Sequence, residues 1–270
     1  MLNNDRKYFV TASQCHRVMA GYELELEGMN MDVPVFDSFP QVYDWIKKNN
    51  REPKVGELKA AGITASGKEI KEAWRYIKAT TPVFSEGMES VAREIAMSKF
   101  IKERDESYKS VDMERGNIQE GEAIIKLQDI TGREFSNTNE DQIFLSDDCL
   151  GVTPDGIEYD GFDIVSCAEV KAPKDTTHMK YLSLIKDERS FREVVPIYYW
   201  QAQCGLAVTG AESYHWLSYH NGFDDDYQAV YLEVKPNKYH IDLLRIRAKR
   251  VLDAVPVIVD DIINRYTSHP

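Results

Sequence analysis

The 270-residue chain is 43% apolar and 29% charged, carries a formal net charge of −12, and holds only four cysteines, Cys15, Cys149, Cys167 and Cys204. That length suffices for a buried core, while so few scattered cysteines exclude a disulfide framework or a CxxC metal knuckle. The acidic balance excludes a protein that coats nucleic acid by bulk positive charge. No 18-residue apolar run could span a bilayer and no basic-then-apolar leader opens the sequence, so a cytoplasmic protein with no membrane partner is expected.

In chain order, TASQCHRVMAG (11–21) reads as a short helix with a Thr or Ser cap and Gly21 as terminator. The pattern is weak over 22–66 apart from a helix near 40–48. Ser66 followed by Glu69 is a capping box opening a helix through about Ala79. Lys68, Lys71, Arg75 and Lys78 form one cationic stripe on it, either a solvated face shared with Glu69 and Glu72 or a contact for a DNA backbone. Helices follow over 83–103 and 117–131, the latter ending at Gly132. Residues 142–145 and 149–153 read as short strands, Pro154-Asp155-Gly156 as a turn, and DIVSCAEVK (163–171) as a mostly apolar strand. Helices over 176–186 and 196–209, strands over 212–219 and 228–234, and an amphipathic helix over 238–265 complete the chain. Strands embedded among helices indicate an α/β (α+β) domain.

The charge is uneven. Residues 111–170 hold 15 Asp or Glu and 3 Lys or Arg, whereas the other 210 residues hold 30 of each sign. Either this is a solvated acidic surface, or some carboxylates face inward and need a cation. Strand periodicity places Glu169 and Lys171 on one face, about 6–7 Å apart, with Val170 on the other. Asp155 stands at the turn before that strand. Glu120 shares a helix face with Ala123, Ile124 and Leu127, and Gln201 shares one with Cys204, Gly205 and Val208. Each has a plain structural reading: a turn residue, an exposed edge strand, an acid at a helix N-terminus, an amide bonded to backbone.

Together they match a known arrangement. Pro154-Asp155, thirteen intervening residues and Glu169-Val170-Lys171 form the signature of the PD-(D/E)XK nucleases. The wider chain resembles the lambda exonuclease, YqaJ-type viral recombinase family of these nucleases in four ordered blocks: RKYFVTASQCHRVMAG, RGNIQEGEA, GVTPDG to EVKAP, and YYWQAQCGLAVTG.

The resemblance implies a restriction-endonuclease-like core, a mixed β-sheet flanked by helices, in a single nuclease domain with a helical insertion at about 22–66. It implies a metal-dependent 5′→3′ exonuclease on double-stranded DNA ends, leaving 3′ overhangs for phage-type single-strand-annealing recombination. Asp155, Glu169, the Val170 carbonyl and Glu120 would ligate Mg²⁺, or Mn²⁺ in its place, two ions being expected. Lys171 would serve the nucleophilic water and Gln201 would position that water or the scissile strand. Arg6, Ser13 and Thr153 would bind the 5′-phosphate. A second TAS, Thr64-Ala65-Ser66, competes with the first, but Arg6, His16 and Met19-Ala20-Gly21 fit around the first copy. The implied partners are a second and third copy in a ring-shaped homo-oligomer, a trimer being favoured, and a single-strand annealing protein. Two other readings stay open: a different PD-(D/E)XK endonuclease of restriction or repair type, or a non-catalytic DNA-binding module on the same fold.

Overall fold

The computed structural model describes residues 5–20, 33–49, 51–80, 84–101 and 111–267, and the chain divides into two compact units, residues 1–20 with 86–270 and residues 21–85. Gly21 and the last residues of the helix expected over 83–103 lie outside the described residues. None of the described helices is long and apolar enough to cross a membrane.

The first unit opens with strand β1 (Val10–Thr11), a 3-10 turn over Ala12–Gln14 and helix α1 (Cys15–Val18). The cap here is Gln14 reaching back, its Oε1 accepting from the Thr11 N–H at 3.0 Å. The chain then enters the second unit through α2 (Phe39–Asn49), α3 (Val55–Ala60) and α4 (Gly67–Thr80). The capping box at α4 forms as the sequence requires: Ser66 N–H donates to Glu69 at 2.6 Å and Glu69 N–H donates to the Ser66 hydroxyl at 3.3 Å. Phe39, Val42, Ile46, Leu58, Ile70, Ala73 and Ile77 interlock into a core belonging to this unit alone.

Back in the first unit, α5 (Glu86–Met97) is shorter than expected, and α6 (Val111–Thr131) starts earlier and stops at Gly132. Then come β2 (Leu145–Ser146), β3 (Leu150–Val152), β4 (Gly156–Asp160), β5 (Asp163–Lys171), α7 (Asp175–Leu184), α8 (Glu188–Val194), α9 (Pro196–Thr209), β6 (Ser213–Tyr219), β7 (Ala229–Val234) and α10 (Lys238–Thr267). Pro196 starts α9, where its missing N–H costs nothing, and Gly210 ends it at φ +69°. A small sheet has the order β1-β3-β2, with β1 parallel to β3. The main sheet has the order β4-β5-β6-β7, antiparallel except for the β5–β6 pair.

Helices cover both faces of the main sheet. On one face Ala123, Ile124 and Leu127 of α6 pack on Ala168, Val170, Leu217 and Tyr219. On the other, Trp216 lies against the rings of Tyr181, Phe191 and Tyr198 from α7, α8 and α9. All seven residues of β6 are buried, as a strand covered on both faces should be.

His215 is fully enclosed on β6, between the Ser213 hydroxyl and the Tyr231 hydroxyl. Burial pushes its imidazole down to about 4, with the Arg133 charge adding to the effect. The unfolded chain therefore takes up a proton between pH 6.5 and about 4 that the fold excludes, and stability falls as pH drops through that window. The loss is expected to reach about 3 kcal/mol. Denaturant unfolding of His215→Phe should show a flatter pH dependence there; a parallel pair of curves would contradict the assignment.

Candidate active site

The hairpin of β4 and β5 builds the centre of the site. Gly156 opposes Ala168 at the start of β4, so β5 runs on past its partner through Glu169, Val170 and Lys171. Asp155 takes the place of the absent strand, its Oδ2 accepting from the Val170 N–H at 2.9 Å. Because backbone groups two residues apart along a strand point to the same edge, the Val170 carbonyl faces that side as well.

Glu169 and Lys171 share the opposite face with α9. Glu169 is 2% exposed, which removes the exposed-edge reading of this residue. Its Oε1 accepts from Gln201 Nε2 at 2.6 Å and pairs with the Lys171 ammonium, and its Oε2 accepts from the Tyr214 hydroxyl at 3.2 Å. Lys171 Nζ also stands 3.6 Å from Asp155 Oδ2 and lies over the Tyr198 ring at 5.7 Å. Burial raises the Glu169 carboxyl to about 7, the nearby Asp155 charge adds to this, and Lys171 opposes it. Burial pulls the Lys171 ammonium down, but Glu169 and Asp155 outweigh that and hold it well above the usual lysine range. Lys171 is therefore a fixed cation here, suited to orienting an oxygen nucleophile.

Glu120 joins from α6 through a residue the sequence did not single out. Gln142 Nε2 donates to Glu120 Oε1 at 2.7 Å and to Asp155 Oδ1 at 3.2 Å. Burial raises the Glu120 carboxyl, and the Asp155 charge raises it further. Two amides, Gln142 and Gln201, and one ammonium thus hold three carboxylates that repel one another. Among the described residues, no three His, Cys, Asp or Glu side chains are grouped to hold an ion by themselves. The donors are nonetheless hard oxygens, a set whose chemistry fits an ion of the Mg²⁺ class.

A second cluster comes from the small sheet. Parallel pairing of Val10 with Leu150 and Thr11 with Gly151 carries the N-terminal block to the end of β3. There Arg6 Nη2 donates to the Thr153 hydroxyl at 2.6 Å, and its guanidinium lies 5.6 Å from the Phe144 ring centre. Ser13 is exposed, its hydroxyl 3.3 Å from that of Thr11. Lys68, Lys71 and Arg75 stand exposed on α4 in the second unit, and the Lys78 side chain lies outside the described residues. In the second TAS, Ala65 is buried and Ser66 is the cap of α4.

Gln142, Tyr198 and Tyr214 are the site residues that sequence reasoning missed. Only Tyr214 left a trace: Gly205 of α9 faces its ring, and a Cβ there would lie 2.2 Å from it. A glycine beside Gln201 is thus a seat for the tyrosine that bonds Glu169.

Comparison with curated protein sequences returns no match. Among solved structures, the fold is similar to an alkaline exonuclease, LHK-Exo, from Laribacter hongkongensis, with a TM-score of 0.55 and 17% identity over 72% of this chain and 92% of that one. The same enzyme in complex with dAMP gives a TM-score of 0.57 at the same identity and coverage. The likeness is one of fold: a mixed sheet between helices, the restriction-endonuclease-like core expected of PD-(D/E)XK nucleases. Residues 56–212, more than half of the sequence, match the YqaJ-like viral recombinase domain. The chain belongs to the YqaJ-like viral recombinase domain family.

Proposed function

We propose that the protein is a metal-dependent nuclease that degrades double-stranded DNA from its ends in the 5′→3′ direction, leaving 3′ single strand for annealing-type recombination. The observation that carries this reading is the convergence of Asp155, Glu169, Lys171, Gln201 and Glu120 at the free end of β5. The likeness to an alkaline exonuclease whose structure was solved with dAMP supports it.

Asp155, Glu169, the Val170 carbonyl and Glu120 are assigned to one or two Mg²⁺ ions, with Mn²⁺ as a substitute. A bound ion supplies water acidification and charge shielding of the scissile phosphate. Lys171 orients the attacking oxygen, and Gln201 fixes the Glu169 carboxylate against it. Arg6 and Thr153, with Ser13, receive the 5′-terminal phosphate, a guanidinium and hydroxyls being chemically apt for it. A ring of three copies and a single-strand annealing partner belong to the same reading and rest on family resemblance alone.

A degradation time course on end-labelled linear duplex, with and without Mg²⁺, tests the activity. Nucleotide release from 5′ ends, absent without the ion and absent on closed circles, is expected; comparable cutting of closed circles would overturn the exonuclease assignment. Arg6→Ala is expected to erase the rate advantage of 5′-phosphorylated over unphosphorylated ends, and an intact preference would remove Arg6 from the pocket.

Gln142 acts one step back. Gln142→Ala frees Glu120 and Asp155 to separate, and should lower kcat by about 10–100-fold and raise the Mg²⁺ concentration needed for half-maximal rate. A wild-type Mg²⁺ titration in that variant would show that the amide merely fills space.

A further inference from the structure

We infer that the second unit is a tether for duplex DNA, gripping the phosphate backbone through α4 in addition to the contacts of the catalytic unit; this rests on the nuclease reading. The unit has its own core, with Ile70, Ala73 and Ile77 committing one side of α4 to Phe39, Val42, Ile46 and Leu58. The opposite side is left to solvent and carries Lys68, Lys71 and Arg75.

Six exposed cations elsewhere are already committed to a carboxylate, which these three are not. Arg51, Arg93, Arg189, Lys235, Lys238 and Arg265 each hold a carboxylate within 3.2 Å. Among the described residues, Lys68, Lys71 and Arg75 have no hydrogen bond or ion pair. One neighbouring carboxylate is withdrawn, because Glu69 is held by the Ser66 N–H at the start of the helix. Glu72 lies about 40° around the axis from Lys68, bordering the stripe without interrupting it.

The local charge of α4 fits the same partner. That helix carries four Lys or Arg and two Asp or Glu, whereas the unit as a whole, residues 21–85, holds nine against ten, so the cationic character belongs to α4. From Lys68 to Arg75 the stripe runs about 10 Å along the helix, matching roughly three phosphate steps of one DNA strand. Nothing on this face reads bases, so the contact is independent of sequence.

The test is binding of the full-length protein to short linear duplex without divalent metal, followed across a salt titration. Neutralising the face in K68Q/K71Q/R75Q should reduce the slope of log affinity against log salt by about 2.7 and weaken binding on the order of a hundredfold near 0.1 M salt. The charge-conserving K68R/K71R/R75K should keep the wild-type slope, which separates lost charge from a misfolded unit. The control K235Q/K238Q/R265Q removes equal charge from the other unit and should keep that slope too. An unchanged slope in the neutralised variant overturns the tether, including the case where the face serves an acidic protein. Equal loss in the control overturns it as well. Failure of the wild-type protein to hydrolyse DNA with Mg²⁺ would instead strike the nuclease reading, whatever the binding data show.

Discussion

Replacing Lys171 with alanine is expected to lower nucleotide release by about a thousandfold, the scale of losing a fixed charge beside a reacting oxygen. Lys171 is the only cation within ion-pair distance of both Asp155 and Glu169 among the described residues, at 3.6 Å from the first and in direct contact with the second. Its loss leaves Glu169, 2% exposed, facing a second carboxylate with no counter-charge. Removing one partner of a buried ion pair costs about 3–5 kcal/mol when the pair is fully enclosed. Lys171 keeps 27% of its side chain exposed, so the loss should fall below that range.

Protonation offers Glu169 an escape, since its carboxyl, already raised to about 7, rises further once the cation is gone. Unfolded, the same carboxyl titrates near 4.5, so the folded chain binds the extra proton and stability declines as pH rises between those values. In metal-free buffer the variant should therefore lose more melting temperature at pH 8 than at pH 6. Lys171→Arg separates charge from geometry: it should recover stability and little of the rate. Near-wild-type release by a folded Lys171→Ala protein would end the catalytic assignment.

Gly205→Ala is the second large effect expected, from one methyl group. The added Cβ would fall 2.2 Å from the Tyr214 ring, which is fully buried and cannot swing into solvent. Overpacking of this kind costs about 1–3 kcal/mol. Displacing the ring also breaks the 3.2 Å bond from the Tyr214 hydroxyl to Glu169 Oε2, leaving a buried carboxylate oxygen unsatisfied. Tyr214→Phe removes that hydroxyl without the clash. It should therefore match Gly205→Ala in lost activity while losing less stability. Thermal unfolding and steady-state rates of the two variants check this; wild-type stability in Gly205→Ala would show that the ring shifts freely.

Legibility in the sequence followed the range of the interactions involved. β5 and α9 have the bounds expected from pattern alone, because an apolar run ended by Lys171 and a proline-to-glycine span are local signals. α8 was missed, being barely two turns long, although Asp187 caps it through the Ser190 N–H at 2.7 Å. β1 was missed because two residues carry no periodicity; its partner strand makes it a strand. β4 was read as the turn that precedes it. The carboxylates of the site were legible because charge on an apolar face is conspicuous. Gln142 and Tyr214 were not, since an amide in a loop and a tyrosine in a buried strand become site residues only through partners 22 and 45 positions away.

The parallel pairing of β1 with β3 also sets a timetable. Arg6 and Thr153 are 147 residues apart along the chain, with the whole second unit between them. Loop closure on that scale is a late event in folding, after local helices and the β4–β5 hairpin have formed. At the usual pace of translation, Arg6 waits on the order of ten seconds before its partner has even been synthesised. The groups assigned to recognising a DNA end are thus among the last to assemble, so a half-made chain carries no finished end-binding pocket.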